Sequence, residues 1–196
     1  MVTAQIARAY LKKDRDRPVR GGNPWIFSQA IGRIEPAEVE PGAQCEVFDA
    51  GGDLIGLGYV NPATTIAIRM LAWGETPPLE ELIERRLRGA IDARRAITRP
   101  DTDSYRLVNG DGDGLSGVVV DRYGDVLVVQ LLTAGADRMR DLSVSALARL
   151  LQPRAILERS HGAVRKQEGL EDRSAALVGE DLAEAIVKEN GIRFIA

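Results

Sequence analysis

The residues with the clearest potential for chemistry lie between positions 109 and 117, where the sequence runs Asn-Gly-Asp-Gly-Asp-Gly-Leu-Ser-Gly. Glycines and carboxylates at this density serve three kinds of structure: a calcium loop, a phosphate-binding loop, or a tight turn between strands. The choice among the three decides whether the chain is a metal protein, a nucleotide enzyme or something else. The residues that flank the stretch discriminate between them.

The start of this stretch matches the ligand pattern of a calcium loop, and its end does not. Asn109, Asp111 and Asp113 occupy the first, third and fifth ligand positions of such a loop, and a glycine follows at the sixth. The twelfth position, where a bidentate glutamate must complete the coordination sphere, is Val120. The β-branched residues around Val120 also predict a strand where the loop would need a helix. The sequence therefore excludes this kind of calcium site.

A nucleotide-binding loop is excluded by the same strand. Gly112, Gly114 and Gly117 have the spacing of a dinucleotide fingerprint, but that motif works only where it opens a helix whose N-terminus holds the phosphate. The segment 118–120 is strand-forming, and no Lys-Ser or Lys-Thr pair follows to make a Walker loop. What remains is a turn that joins a strand over 105–108 to a strand over 116–121.

Side chains used in nucleophilic and metal chemistry are scarce. The chain has one cysteine, Cys45, and one histidine, His161, which excludes an internal disulfide framework and disfavours a structural zinc site. Cys45 falls in a predicted strand and is typical of a packed core residue. His161 could act as a general base, but no nucleophile accompanies it. A small-molecule enzyme that uses Asp111 and Asp113 with an arginine is a further hypothesis, although turn aspartates beside glycines are usually structural.

The charge of the chain is unevenly distributed around a net value of −3. Residues 1–34 carry seven basic and two acidic side chains, whereas residues 35–63 carry six acidic and no basic ones. This asymmetry predicts either a basic face near the start of the chain or an ordinary solvated surface. No apolar run reaches the length of a membrane span, the N-terminus does not resemble a signal peptide, and the single cysteine favours a reducing compartment. We therefore expect a cytoplasmic protein without membrane or metal partners.

The first part of the chain is punctuated by turn residues between short apolar runs, a pattern typical of a small β-barrel or sandwich. A short helix is expected from Pro24, capped by Asn23, with Trp25 and Phe27 filling the core. The barrel should end near Ala72, before the Thr-Pro-Pro sequence at 76–78. The predicted strands cover residues 4–11, 31–34, 44–48, 54–60 and 64–71.

The second part of the chain mixes strands with two long helical segments. An amphipathic helix is predicted over 79–97, and another begins after the capping residue Thr133 and runs to Leu151. Asn-Gly at 190–191 is typical of a two-residue hairpin turn. We therefore expect an α/β domain with a mixed or antiparallel sheet. Its predicted strands cover residues 105–108, 116–121, 126–132, 155–157, 185–188 and 192–195.

Two groups of residues resemble known families. Residues 20–31, Arg-Gly-Gly-Asn-Pro-Trp-Ile-Phe-Ser-Gln-Ala-Ile, together with Gly-Leu-Gly-Tyr at 56–59 and Asn-Pro at 61–62, resemble a PUA domain. This resemblance implies a pseudobarrel of the kind found on RNA-modifying enzymes. A basic segment beside an aromatic turn agrees with it, because such a surface can hold a phosphate backbone and let a base stack.

The second group is more specific. It comprises Ser-Tyr-Arg-Leu at 104–107, Asp-Gly-Leu-Ser-Gly at 113–117, Asp-Arg-Tyr-Gly at 121–124, Arg-Ser at 159–160 and Val-Arg-Lys-Gln-Glu-Gly at 164–169. These residues resemble the central domain of bacterial large-subunit (23S) ribosomal RNA cytosine-5 methyltransferases, and the resemblance covers essentially the whole chain. It implies an α+β fold, with an N-terminal PUA-like β-barrel over 1–74 and a small α/β central domain with a mixed sheet over 75–196.

In that family a Rossmann-type domain follows, which binds S-adenosylmethionine and carries the catalytic cysteine. The chain ends at Ala196, before that domain would begin, so the resemblance implies no cofactor in this chain and no methyl transfer by it alone. We expect the RNA-recognition part of such an enzyme, with large-subunit ribosomal RNA as partner; a stand-alone RNA-binding or ribosome-associated module is the alternative. The expected RNA contacts are Lys12, Lys13, Arg17, Arg20, Asn23, Arg33, Arg159, Arg165 and Lys166.

Overall fold

A computed structural model describes residues 6–195 of the chain, so positions 4 and 5 of the first predicted strand lie outside the described residues. The chain forms two compact units, Met1–Leu82 and Ile83–Ala196. The boundary between them falls in the first turn of a long helix, Leu79–Ile97. A domain boundary after residue 74 stays a prediction. No helix within residues 6–195 combines the length and the apolar character needed to cross a membrane.

The first unit is a six-stranded sheet with one short helix. Its elements are β1 (Ala7–Leu11), α1 (Arg17–Arg20), β2 (Trp25–Phe27), β3 (Ile31–Glu35), β4 (Ala43–Phe48), β5 (Leu54–Val60) and β6 (Ile66–Trp73). The strand order is β2-β6-β5-β4-β1-β3. Strands β1 and β4 are parallel, and the other neighbours are antiparallel. The β-rich first part predicted from the sequence is confirmed.

Alternation along the strands gives this sheet an apolar face. On β1, for example, the first, third and fifth residues are buried while Arg8 is exposed. Val19 of α1 joins the core formed by this face and is only 1% exposed. The buried cluster consists of Ala7, Ala9, Leu11, Val19, Ile26, Cys45, Val47, Ile55, Val60, Ile68 and Met70.

The prediction of a short helix from Pro24 is wrong. Residues Trp25–Phe27 form β2, which pairs with β6, and the helical turn lies earlier, at Arg17–Arg20. Asn23 does accept a hydrogen bond through its side-chain oxygen, from the backbone N–H of Trp25 at 2.9 Å. This bond closes a turn that leads into a strand, so an asparagine before an apolar run does not by itself indicate a helix.

The expectation that Trp25 lies in the core is also wrong. Strand alternation buries Ile26, which is 3% exposed, and turns Trp25 outward, so that it is 39% exposed. Phe27 is partly buried. The helical interpretation had placed both aromatic rings inward, whereas the strand places Ile26 on the core face and Trp25 and Phe27 on the opposite face.

The second unit is built on a five-stranded sheet flanked by helices. Its elements are α2 (Leu79–Ile97, which begins in the first unit), β7 (Ser104–Asn109), β8 (Val118–Tyr123), β9 (Val126–Leu131), α3 (Ala134–Arg138), α4 (Arg140–Leu151), β10 (Ala155–Ser160), α5 (Ala163–Gln167), β11 (Arg173–Val178), β12 (Ile186–Glu189) and β13 (Ile192–Ile195). The sheet order is β11-β10-β9-β8-β7, and β12 and β13 form a separate hairpin. Strands β9 and β10 are parallel and the other neighbours antiparallel, so the sheet is mixed, which is one of the two predicted arrangements.

Helix and turn predictions were mostly accurate in this unit, although the short helix α5 was not predicted. Helix α2 has the predicted bounds, although Ile97 at its end is 78% exposed. The helix predicted after Thr133 is interrupted at Met139, which divides it into α3 and α4. Strand β11 was not predicted. The Asn-Gly hairpin turn is confirmed, with φ of 51° at Asn190 and 82° at Gly191.

Candidate nucleic-acid interface

The glycine–aspartate stretch forms a turn between strands, as the sequence predicted. Residues Gly110–Asp113 make one 3-10 turn between β7 and β8. The Asp113 carboxylate accepts two hydrogen bonds from Arg94, at 2.6 and 2.7 Å, and one from the backbone N–H of Asn109, at 2.6 Å. A carboxylate held in this way shapes the turn and is occupied by its partners. Within residues 6–195, no three or more His, Cys, Asp or Glu side chains come together as a potential metal site.

The basic segment of the first unit is anchored by one buried residue and otherwise exposed. Val19 is in the core, and its carbonyl accepts a hydrogen bond from Trp73 Nε1 at 2.7 Å. The backbone from Lys12 to Arg17 therefore runs over the surface while its end is fixed. The exposed basic residues of this run are Lys12, Lys13, Arg15 and Arg17, which we call the basic loop.

The cations of the basic loop are weakly paired within the described residues. Lys12 Nζ donates to the carbonyl of Gln29 at 3.0 Å, a contact that leaves its charge uncompensated. Arg17 lies 3.9 Å from Asp14, and its side chain is 83% exposed. Lys13 and Arg15 make no ion pair with any residue of 6–195. An exposed and weakly paired set of cations is the electrostatic footprint expected of a phosphate-binding surface.

Arg20 differs from the basic loop because it is held by two carboxylates. Its Nε contacts Asp16 Oδ2 and its Nη2 contacts Asp49 Oδ2, both at 2.7 Å. Asp49 is itself fixed by the backbone N–H groups of Asp53 and Gly51, each at 2.9 Å. These backbone bonds, followed by Arg20, lower the pKa of the Asp49 carboxyl. Arg20 thus ties α1 to the turn after β4, and its charge is compensated.

Two further predicted RNA contacts of the first unit, Asn23 and Arg33, differ in how far their side chains are already engaged by other groups. The Asn23 side-chain oxygen accepts a hydrogen bond from the backbone N–H of Trp25 in β2. Arg33 lies on β3 with its Cζ 3.6 Å from the centroid of the Tyr10 ring, and its Nε donates to Glu35 at 2.9 Å. The side chain of Arg33 is nevertheless 60% exposed, so one side of the guanidinium meets solvent.

In the second unit the structure does not offer Arg165 to a nucleic acid. Arg165 is 2% exposed. Its Nη1 donates to the carbonyl of Leu131 and to Asp137 Oδ1, and its Nε and Nη2 both donate to the carbonyl of Glu171, at 2.8 and 2.7 Å. The guanidinium therefore joins the end of β9, helix α3 and the segment before β11. The sequence placed Arg165 among the RNA contacts because it is basic, and the structure uses it as an internal cross-link.

The motif around β10 continues the same buried network. Glu158 is 0% exposed and accepts from Arg140 Nε at 3.0 Å, Arg140 Nη2 at 3.1 Å and Ser160 Oγ at 2.8 Å. Ser160 in turn accepts from the backbone N–H of Leu131 at 2.9 Å. Arg140 also binds Asp137 at 2.7 Å. Nothing in the sequence around Arg140 or Asp137 indicated this role, because their partners lie on other elements.

Three further residues of this region are less enclosed: Arg159 is partly buried, and His161 and Lys166 are exposed. Arg159 donates to Asp181 Oδ1 at 2.7 Å and lines a groove of about 450 Å³ between strands β8 to β10 and the segment 182–185. His161 Nε2 lies 2.8 Å from Ser174 Oγ on the surface. Lys166 is exposed on α5. Of the three predicted cations in this unit, only Arg159 and Lys166 can reach a ligand.

Cys45 is enclosed in the core of the first unit. It is 0% exposed, and burial raises the pKa of its thiol to about 12. A thiol with such a pKa is protonated at neutral pH and is a poor nucleophile. The sequence-based interpretation of Cys45 as a packed residue is confirmed.

We expect Cys45 to be alkylated by iodoacetamide very slowly in the folded protein and readily after unfolding in urea, as followed by mass spectrometry. The pKa of the folded thiol, about 12, lies above the value of about 8.5 for an unfolded thiol. At a pH between these two values the thiol is therefore protonated in the native state and ionised in the unfolded state. The thiol's contribution to stability is therefore present below pH of about 8.5 and is lost as pH rises toward 12. Fast labelling of the native protein at pH 8 would contradict this account.

Comparison with known proteins finds a family match within the first unit and relatives that are similar to both units. Residues 9–73 match a family model described as PUA-like domain. The chain is 35% identical over 191 residues to Ribosomal RNA large subunit methyltransferase I of Alteromonas mediterranea, covering 96% of this chain and 48% of the relative. It is 37% identical over 192 residues to the protein of the same name from Salmonella arizonae, covering 96% and 47%. The chain thus spans about half the length of the curated relatives it matches.

Two solved structures share the fold. The crystal structure of SMU.776, described as a candidate methyltransferase complexed with SAH, superposes with a TM-score of 0.78 at 18% identity, covering 97% of this chain and 47% of that one. A candidate SAM-dependent methyltransferase from Streptococcus mutans gives a TM-score of 0.76 at 18% identity, with 97% and 48% covered. At this identity the likeness concerns the fold alone. Residues 9–73 of the chain are similar to a PUA-like domain, and both units together are similar to about half of a ribosomal RNA large-subunit methyltransferase.

Proposed function

We propose that this chain is the RNA-recognition part of an S-adenosylmethionine-dependent 23S ribosomal RNA cytosine-5 methyltransferase. The observation that carries the proposal is the similarity of 35–37% identity over both units to relatives named as large-subunit ribosomal RNA methyltransferases. The basic loop supplies a surface of the required charge on the PUA-like domain. The partner of this surface would be large-subunit ribosomal RNA.

The residues of this chain support recognition better than methyl transfer. Cytosine-5 methylation needs a cysteine thiolate that adds to the pyrimidine ring, while S-adenosylmethionine supplies the methyl group. The single cysteine, Cys45, is buried with its pKa raised to about 12. The glycine-rich stretch at 110–117 does not fit a cofactor-binding loop, because it leads into β8 and provides no helix N-terminus. In this proposal the transfer chemistry belongs to another part of the enzyme.

The basic loop gives the most direct test. We expect the combined change Lys13→Gln, Arg15→Gln and Arg17→Gln to weaken binding of a large-subunit ribosomal RNA fragment by about 10- to 100-fold at moderate salt. The slope of log affinity against log salt concentration should fall in magnitude by about 2, because up to three phosphate contacts are lost. Both quantities can be measured by fluorescence anisotropy across a salt series.

A matched control removes three exposed charges elsewhere. Arg88, Arg95 and Arg99 have side chains that are 59%, 67% and 71% exposed, and their change to glutamine alters the net charge equally. We expect this control to retain most of the affinity. Equal loss in both variants would mean that only net charge matters, and unchanged binding in the loop variant would place the interface elsewhere.

A further inference from the structure

The outer face of the first unit carries a row of three side chains on neighbouring strands. Strand β1 lies between β4 and β3 in the sheet. The strand register places Phe48 beside Tyr10 and Tyr10 beside Arg33. Directly paired residues project from the same face of a sheet, so the three side chains form a continuous line on the face opposite the core.

The contacts in this row make an aromatic stack capped by a cation. The rings of Tyr10 and Phe48 are stacked, with centroids 5.2 Å apart and an interplanar angle of 21°. The guanidinium of Arg33 lies over the Tyr10 ring, 3.6 Å from its centroid. The bond from Arg33 Nε to Glu35 holds it there, yet 60% of the side chain is exposed. The guanidinium therefore covers the tyrosine with one side and presents the other to solvent.

A polar groove lies beside this stack. The register places Arg8 between Glu46 and Glu35, in the row next to that of Tyr10, and Arg8 Nε lies 3.4 Å from Glu46 Oε2. Carboxylates accept hydrogen bonds from amino groups, which adenine, guanine and cytosine carry and uracil lacks. Arg8, Arg33 and the neighbouring Lys12 outnumber the two carboxylates, so the face remains compatible with a phosphate backbone. The groove has a volume of about 520 Å³ and is lined by Ile6, Arg8, Glu35, Pro36 and Glu46.

We propose that this face is a stacking subsite for one unpaired nucleobase that carries an exocyclic amino group. The base packs on the exposed side of Arg33, and its amino group donates to Glu35 or Glu46. Proteins that bind single-stranded RNA use aromatic rings and guanidinium planes in this way, because every base has a flat face. The inference rests on the proposed RNA-binding function and adds base recognition to the charge supplied by the basic loop.

The first test is Arg33→Lys, because lysine keeps the positive charge and lacks the planar group. We expect the full chain with this change to bind a cytidine hexamer about tenfold more weakly, with an unchanged salt slope. Arg95→Lys on α2 is the matched control, since Arg95 is exposed and pairs with Asp92 at 3.6 Å, and it should match the parent. Equal affinity of Arg33→Lys and the parent, with thermal unfolding unchanged, would overturn the subsite.

The second test concerns the identity of the base. We expect the parent chain to bind the cytidine hexamer severalfold more tightly than a uridine hexamer, and Glu46→Gln to reduce that preference. Equal binding of the two hexamers by the parent would overturn the role of the carboxylates. Failure of the proposed function gives a different result: RNA affinity would then be insensitive to the basic loop and to salt, whatever happens at Arg33.

Discussion

Arg165→Met is expected to lower the free energy of unfolding by about 3–5 kcal/mol, because it removes one partner from a buried charged network. The change leaves the carbonyls of Leu131 and Glu171 without their donors and takes one cation from Asp137. A buried acceptor that loses its partner keeps its desolvation cost. Urea unfolding followed by circular dichroism measures the loss, and a lower transition midpoint with an unchanged slope would be the expected signature.

Lys166→Met is the matched control for this experiment. Lys166 is the next residue of the same short helix, and its side chain is exposed. The change removes an equal charge and adds the same side chain, so it should alter stability by no more than about 0.5 kcal/mol. If Lys166 contacts RNA, Lys166→Met should weaken RNA binding more than Arg165→Met does. A Lys166 variant as unstable as the Arg165 variant would show that the helix itself, and not the buried guanidinium, is the sensitive feature.

This contrast shows why part of the candidate site could not be predicted from sequence. Arg165 and Lys166 are adjacent, and both have a basic side chain in a polar segment. Their environments differ because the Leu131 carbonyl and Asp137, which lie on other elements, converge on Arg165. No local sequence pattern predicts that convergence. The resembling segments Arg-Ser at 159–160 and Val-Arg-Lys-Gln-Glu-Gly at 164–169 include buried residues that hold the fold, namely Ser160, Arg165 and Glu168.

Local signals were sufficient where the physical cause is itself local. The amphipathic period gave the bounds of α2, and Asn-Gly at 190–191 gave the hairpin, since each depends on residues within a few positions. Pro24 and Asn23 gave the wrong element, because the pairing of β2 with β6, about forty residues away, overrides a helix-start signal. Charge counting located the basic loop, but only the structure shows that Arg20 is compensated by two carboxylates.

Gly117→Ala is expected to destabilise the second unit by about 2–4 kcal/mol. Gly117 has φ of 77°, a conformation that alanine adopts at a cost of about 1 kcal/mol. A Cβ at this position would also lie 2.1 Å from Thr133 Oγ1 and 2.9 Å from Thr133 Cβ. Thr133 caps α3 by accepting from the backbone N–H of Ala136, so its displacement would disturb the start of that helix. Thermal and urea unfolding of the variant measure the effect.

The variant Gly112→Ala distinguishes a structural turn at residues 110–117 from a nucleotide-binding loop. Gly112 lies in the exposed 3-10 turn without a positive φ, and a Cβ there would be 3.6 Å from Asn109 Nδ2, an ordinary contact. We expect its stability to remain within about 0.5 kcal/mol of the parent. A nucleotide-binding loop of this spacing would not tolerate Gly112→Ala, because its first glycine makes the tight turn around the phosphate. If Gly112→Ala abolished binding of a nucleotide while Gly117→Ala were tolerated, the turn would have to be reinterpreted as a site. The close packing of Gly117 on Thr133 is the physical reason to expect otherwise.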